Sequence, residues 1–478
     1  MTTFDYNAKT NKFTIKCDDF DELREHFSAA NKNAKFLKRY NPFASSRFYA
    51  ITPTGVFDVG LFNQIKEYLL SKHLTDIELT DSFKSKLIQP IPYVIQNVKN
   101  ADYILRDYQV DALKIMLSYG RGIGLMGTGA GKTLTMAVLI ENLVAKFSAH
   151  TTGIVVVPDI GLVEQTYNDF KLYNVDFTFT KWSGSHSLER GHNITIVNSA
   201  NLIAKFDEND WVKYADFLIV DEVHKIGKKN VINNLLSKIK TNHKFGFTGT
   251  LPTEPVDNWN VVGKFGPVVY EKSSADLRKE GYLTNAVIKA VEIDYSQKPE
   301  YVKSVTPTAK YYSEIDFIIN NSFRNKVILK ICQNFNNNTL ILVNRLEHGR
   351  ILLDLIQKQT TKKVIFISGE VETDVREQFK AEMEKSNDII CIAISKIFST
   401  GINIKNIHMI IFASGGKSFI QIVQSIGRGL RLHENKQMLT IIDLVDNLEY
   451  SNEHFEERKK HYAVEKIKYN LTKIVETA

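Results

Sequence analysis

Residues 124–138, GLMGTGAGKTLTMAV, constrain the fold more than any other stretch: an apolar run gives way to a glycine-rich loop and then to a helix. Gly127, Gly129 and Gly131 lack a Cβ, so the loop can adopt the positive φ of a tight turn and aim its N–H groups, those of Thr128 and Ala130 included, at an anion. The helix expected from about Lys132 turns its positive dipole end to the same anion. Lys132 can then reach the β- and γ-phosphates of a nucleotide, and the Thr133 hydroxyl is placed to ligate Mg²⁺. The strict pattern asks for Gly five residues before Gly131, where this chain has Met126; the departure is mild because GxGKT is intact.

A chance glycine-rich turn is the alternative, and residues 216–224, DFLIVDEVH, argue against it. They read as a buried parallel strand ending in two carboxylates, and open α/β sheets place ligands at the C-terminal edge of their strands. Asp221 can hold Mg²⁺ directly or through water, while Glu222 can polarise the water that attacks a γ-phosphate. The two stretches together indicate a nucleoside triphosphatase that uses Mg²⁺.

The chain of 478 residues suggests about three domains. With 43% hydrophobic and 24% charged residues it has the composition of a soluble globular protein. No segment has the run of roughly 20 apolar residues that spans a membrane, and the N-terminus lacks an apolar signal core, so a cytoplasmic location is expected. Cys17, Cys332 and Cys391 are odd in number and widely spaced; they fit neither a disulfide framework nor a metal site and read as small core residues. The net charge of +7 permits a nucleic-acid partner without requiring one.

In chain order, residues 1–95 read as a separate small α+β unit, with a helix near Asp19 and another over 60–72. Between them, residues 32–49 carry Lys32, Lys35, Lys38, Arg39 and Arg47, no acid, and the aromatics Phe36, Tyr40, Phe43, Phe48 and Tyr49. Such interleaving could grip phosphates and stack bases; alternatively the aromatics are core and the lysines a solvated face. Residues 96–285 read as a doubly wound parallel sheet, its strand ends near Pro158, Asn198, Glu222 and Thr248 opening on the edge that carries the phosphate loop. Arg106 and Gln109 precede a helix over 110–117, and an amide about twenty residues before the loop can read adenine while a neighbouring aromatic covers the ring. Residues 286–450 form a second α/β unit without a phosphate loop, and 451–478 read as a charged helical appendage that either touches DNA phosphates or packs back as a solvated helix.

MGTGAGKT, DEVH at 221–224 and TGT at 248–250 resemble motifs I, II and III of superfamily 2 helicases. Pro158 with Gln165, and Asn198 with Ser199, sit where motifs Ia and Ib of that family contact a nucleic-acid strand. SKIFSTGINI and QIVQSIGRGLR resemble motifs V and VI, with Asn403 replacing the usual acid of motif V. The resemblance implies two RecA-like domains, ATP hydrolysis with Lys132, Asp221, Glu222, Gln424, Arg428 and Arg431, and coupling of nucleotide state to strand contacts through His224, Thr248 and Thr250. Arg428 and Arg431, three apart on one helical face, suit an arginine finger. Gly401 would join the nucleotide contacts, and Thr400, Pro158 and Ser199 the strand grips. The N-terminal stretch, SGEV, STGIN and a motor without long insertions look like the phage UvsW-type recombination helicases, with their T5-type relatives. That family implies remodelling of branched or forked DNA by branch migration, fork regression and R-loop unwinding, here by a monomer. An RNA-directed superfamily 2 helicase and a non-enzymatic relic are the competing readings.

Overall fold

The computed structural model describes residues 1–478 apart from 32–33, 44, 88, 148–149, 185, 228–229, 300–305, 370, 372, 396–403, 415–435 and 478. It divides into two compact units, Met1–Lys272 and Ser273–Ala478.

The first unit opens with strands β1 (Thr2–Asn7), β2 (Lys12–Lys16), β3 (Ser28–Ala30), β4 (Arg47–Tyr49), β5 (Val56–Phe57) and β6 (Ile77–Leu79). Four of them form a mixed sheet in the order β5-β2-β1-β6, and β3 and β4 form a separate antiparallel pair. Alternation puts Phe4, Phe13 and Ile15 on one face, where they meet Phe57, Phe62 and Phe83. The second sheet comprises β7 (Gly122–Met126), β8 (Gly153–Val157), β9 (Phe179–Trp182), β10 (Ile194–Asn198), β11 (Phe217–Asp221), β12 (His243–Thr248) and β13 (Val268–Lys272). Their order is β13-β7-β12-β11-β8-β10-β9, with every pairing parallel. GIVVV and FLIVD are buried almost throughout, as strands covered by helices on both faces must be.

The small N-terminal mixed-sheet domain packs directly on the α/β layer within the first unit. Its aromatic cluster is continuous with Ile154, Val220, Val262 and Phe265 of the α/β layer. A Cβ on Gly60 would stand 1.9 Å from the Val262 carbonyl oxygen, and one on Gly263 would stand 2.8 Å from the Asp58 Cβ. The turn Val59–Leu61 thus docks backbone-close on the helix Pro255–Phe265, which only glycine allows.

The second unit carries β14 (Asn285–Asp294), β15 (Thr339–Val343), β16 (Lys363–Ile367), β17 (Ile389–Ile394), β18 (Met409–Phe412), β19 (Met438–Asp446) and β20 (Tyr469–Val475). They form another parallel sheet, in the order β16-β17-β15-β18-β19-β14-β20. The expected helical appendage is corrected here: the helix Glu449–Val464 ends, and the chain returns as β20 alongside β14. Arg458 is buried rather than offered to phosphates, donating from Nε to Asp443 Oδ2 at 3.0 Å beside the Tyr462 hydroxyl at 2.8 Å. A second buried pair joins Arg324 Nε to Asp446 Oδ1 at 2.7 Å. Cys332 and Cys391 are buried, as small core residues would be, whereas Cys17 is half-buried. Among the described residues no helix is long and apolar enough to cross a membrane.

Candidate active site

The phosphate loop follows β7 and leads into the helix Lys132–Phe147. Gly129 and Gly131 take positive φ, 87° and 74°. Gly127 does not: its N–H is spent on the Lys272 carbonyl at the end of β13, 2.9 Å away, which corrects the expectation for that residue. The Ala130 N–H likewise turns back to the Gly127 carbonyl, at 3.1 Å. Thr128 and Thr133 are half-buried on the loop and the first helical turn. Lys132 Nζ donates to the Met126 carbonyl at 3.3 Å and stands 3.9 Å from Glu222 Oε1, so it already bridges the loop and the carboxylate strand.

Gln109 packs directly beneath the loop. Its Nε2 donates to the Ala130 and Gly131 carbonyls at 3.1 and 3.2 Å, and its Oε1 accepts from the Arg106 N–H at 2.9 Å, capping the helix Asp107–Tyr119. A Cβ on Gly131 would lie 2.5 Å from Gln109 Nε2, so the glycine answers both a positive φ and a close neighbour. Tyr108 is not the exposed ring that would cover a base: it is 4% exposed, and its hydroxyl donates to the Ala130 carbonyl at 3.0 Å. Arg106 reaches that same hydroxyl, at 3.2 Å.

At the end of β11, Glu222 sits at φ 51°, a conformation that costs a non-glycine residue about 1–3 kcal/mol and gathers at functional sites. Its N–H donates to Asp221 Oδ1 at 2.9 Å. Burial, then the adjacent Glu222 carboxylate, pushes the Asp221 carboxyl up to about 7 against the pull of Lys132. Burial works on Glu222 in the same sense, but Lys132 and the contact from His224 outweigh it and hold that carboxyl below its ordinary range. Two half-buried neighbouring carboxylates beside one lysine thus favour a proton on Asp221 with Glu222 ionised, and a divalent cation would take that proton's place. Among the described residues no cluster of three or more side-chain ligands gathers. That donor set fits Mg²⁺, which takes one or two protein ligands and completes its shell with phosphate oxygens and water.

The expected coupling residues come together. His224 Nδ1 lies 3.2 Å from Glu222 Oε2 and 2.7 Å from Thr248 Oγ1, whose hydroxyl hydrogen bonds reach the Thr250 carbonyl at 2.8 Å. His224 Nε2 is buried with no partner among the described residues. Along the same strand-end edge, Ser199 is buried and its hydroxyl donates to the Pro158 carbonyl at 3.2 Å. A cavity of about 30 Å³ connects Pro158 and Ser199 with Asp221 and Lys225. Lys225 was missed in the sequence, where nothing distinguishes it from a surface lysine.

In the N-terminal stretch, Phe36, Tyr40, Phe43 and Phe48 are 57%, 78%, 94% and 41% exposed, so they are not core. Lys38 and Arg39 are exposed beside them, and the Lys35 side chain lies outside the described residues. Arg47 is committed elsewhere, with Nη2 at 2.7 Å from Ser28 Oγ and 2.9 Å from Glu25 Oε1. Thr400, Gly401, Gln424, Arg428 and Arg431 also lie outside the described residues.

A family model described as the type III restriction enzyme res subunit matches residues 102–253, and the helicase conserved C-terminal domain matches residues 323–433. The ATP-dependent DNA helicase uvsW of Enterobacteria phage T4 is 28% identical over 386 residues, covering 76% of this chain and 76% of that protein. The ATP-dependent type ISP restriction-modification enzyme LlaBIII bound to DNA shares the fold at TM-score 0.58 and 14% identity, over 85% of this chain and 34% of that one. S. cerevisiae Dbp5 bound to RNA and ADP BeF3 does so at TM-score 0.51 and 13% identity, over 77% and 89%. The two seven-stranded parallel sheets are accordingly RecA-like domains. The chain thus carries the paired domains of an ATP-hydrolysing DNA helicase and is similar to the UvsW type.

Proposed function

We propose that this helicase remodels branched or forked DNA, by branch migration, fork regression and R-loop unwinding, as a monomer in the host cytoplasm. The observation that carries an ATP-driven motor is the unbroken line Lys132–Glu222–His224–Thr248 from the phosphate loop to the strand-end edge. The branched substrate is favoured by the exposed aromatics Phe36, Tyr40 and Phe43 beside Lys38 and Arg39, and by the likeness to the T4 helicase. Aromatic faces on a basic surface suit the unstacked bases of a junction better than the closed surface of a duplex.

In this reading Lys132 leaves the Met126 carbonyl for the β- and γ-phosphates of ATP, and the loop N–H groups close around them. Thr133 and Asp221 would hold Mg²⁺, which supplies positive charge to the phosphates. Glu222 takes a proton from the attacking water, and Gln424, Arg428 and Arg431 stabilise charge on the γ-phosphate. Loss of that phosphate shifts Glu222, which releases or tightens His224 and, through Thr248 and Thr250, the strand-end edge where Pro158 and Ser199 meet DNA. Thr400, with Gly401, serves the second domain in the same way.

The test is branch migration of a labelled four-way junction with ATP and Mg²⁺, beside strand displacement from a linear duplex. Faster junction resolution, abolished by Glu222→Gln, is expected. Equal rates on both substrates would remove the branched-DNA assignment while leaving the helicase.

A further inference from the structure

We propose that the first unit carries a second anion site, a cleft that binds a phosphate monoester dianion, separate from the nucleotide loop. The cleft has a volume of about 520 Å³, within the range of small-molecule sites. It lies at the strand-start edge of the α/β sheet: Arg121 immediately precedes β7, and Lys244 is the second residue of β12. The phosphate loop, Asp221 and Thr248 follow strand ends, so they lie on the opposite edge. The other wall comes from the N-terminal sheet through Lys12, Phe13, Val56 and Phe57.

The charge balance is what points to an anion. Three cations, Arg121, Lys244 and Lys264, reach the interior, and among the described residues lining the cleft the one acid is Asp58. Lys264 takes Asp58 as its ion-pair partner. Arg121 is 8% exposed and donates only to carbonyls in its described contacts, those of Phe265 at 3.3 Å and Lys264 at 2.9 Å. Lys244, also 8% exposed, donates to the Leu236 carbonyl at 2.8 Å. Two buried cations whose hydrogen bonds go to neutral carbonyls, with Asp58 already paired to Lys264, leave positive charge incompletely compensated, which is costly in a low-dielectric interior. Burial, with Arg121 and Lys264 nearby, pushes the Lys244 ammonium down to about 7, a shift that an anion in the cleft would reverse. Lys238 and Lys240 at the mouth add a positive approach.

A dianion closes that balance. The inner cations are nine-tenths buried, so a duplex cannot lay its phosphodiesters on them, whereas a terminal phosphate can enter, either on a small molecule or at the 5′ end of a DNA strand.

The experiment is calorimetric titration of the full chain with inorganic phosphate at constant ionic strength, in a Lys132→Ala background that silences the nucleotide loop. One saturable site is expected. Lys244→Met should weaken it at least ten-fold. Asp58→Asn, which removes the competing acid, should tighten it several-fold, and a folding defect cannot produce that gain. Absence of saturable binding in the Lys132→Ala chain, or equal affinity in both double variants, would overturn the proposal. Oligonucleotides with 5′-phosphate and 5′-hydroxyl ends separate the sources: a Lys244-dependent preference for the phosphorylated end assigns the site to DNA termini, and equal binding assigns it to a small phosphate-bearing molecule.

Discussion

Gly131 and Thr248 show what single residues decide in this motor. Gly131 combines φ 74° with a Gln109 amide nitrogen 2.5 Å from where a Cβ would lie. Gly131→Ala should therefore cost about 1–2 kcal/mol of stability from the left-handed backbone alone, and it should abolish binding of a fluorescent ATP analogue; thermal unfolding and a nucleotide titration read the two effects. Thr248 holds His224 on one side and the Thr250 carbonyl on the other. Thr248→Ala should leave hydrolysis without DNA within a few-fold of wild type and remove its stimulation by DNA, and full stimulation would show that the signal travels elsewhere. The loop was legible in the sequence because Gly, Lys and Thr act there through their own local chemistry. The behaviour of Gly127 was not legible, because the carbonyl that takes its N–H belongs to Lys272, distant in sequence. The partners of Arg47 were not legible for the same kind of reason: Ser28 and Glu25 reach it only once β3 and β4 have paired.

Among the elements, the α/β alternation around the loop was readable from apolar runs punctuated by turns, and both parallel sheets follow from it. The last strand was not readable. Residues 469–475 are largely exposed, and their strand character comes from the free edge of β14 rather than from a buried face of their own. The second sheet also depends on buried charge. Arg324 and Asp446 have fully buried side chains, so Arg324→Met leaves an uncompensated carboxylate and should cost about 3–5 kcal/mol. Denaturant unfolding of the full chain measures it, and a loss below 1 kcal/mol would mean that the pair is solvated in solution. The basic-aromatic stretch needed the structure to choose between its two readings, since only coordinates show Phe43 at 94% exposure. Changing Lys32, Lys35, Lys38 and Arg39 together to Ala should weaken junction binding at least ten-fold while hydrolysis without DNA persists, and unchanged binding in a gel-shift titration would reassign that surface.

Taken whole, the molecule is two RecA-like units, the first fused through one continuous core to an N-terminal sheet. That fusion runs through the helix Pro255–Phe265, which packs on the N-terminal turn and also on β7 and β12 behind the phosphate loop. In the proposed motor the half-buried Lys132–Glu222–His224 line drives work on DNA, and on branched DNA above other forms. ATP hydrolysis by the wild type and by Glu222→Gln tests it most directly, measured without nucleic acid and then with single-stranded DNA, duplex, a four-way junction and structured RNA. The strongest stimulation is expected from the junction, with a fall of about 10²–10⁴-fold in the variant under every condition. Stimulation by RNA alone, or unchanged turnover in Glu222→Gln, would contradict it.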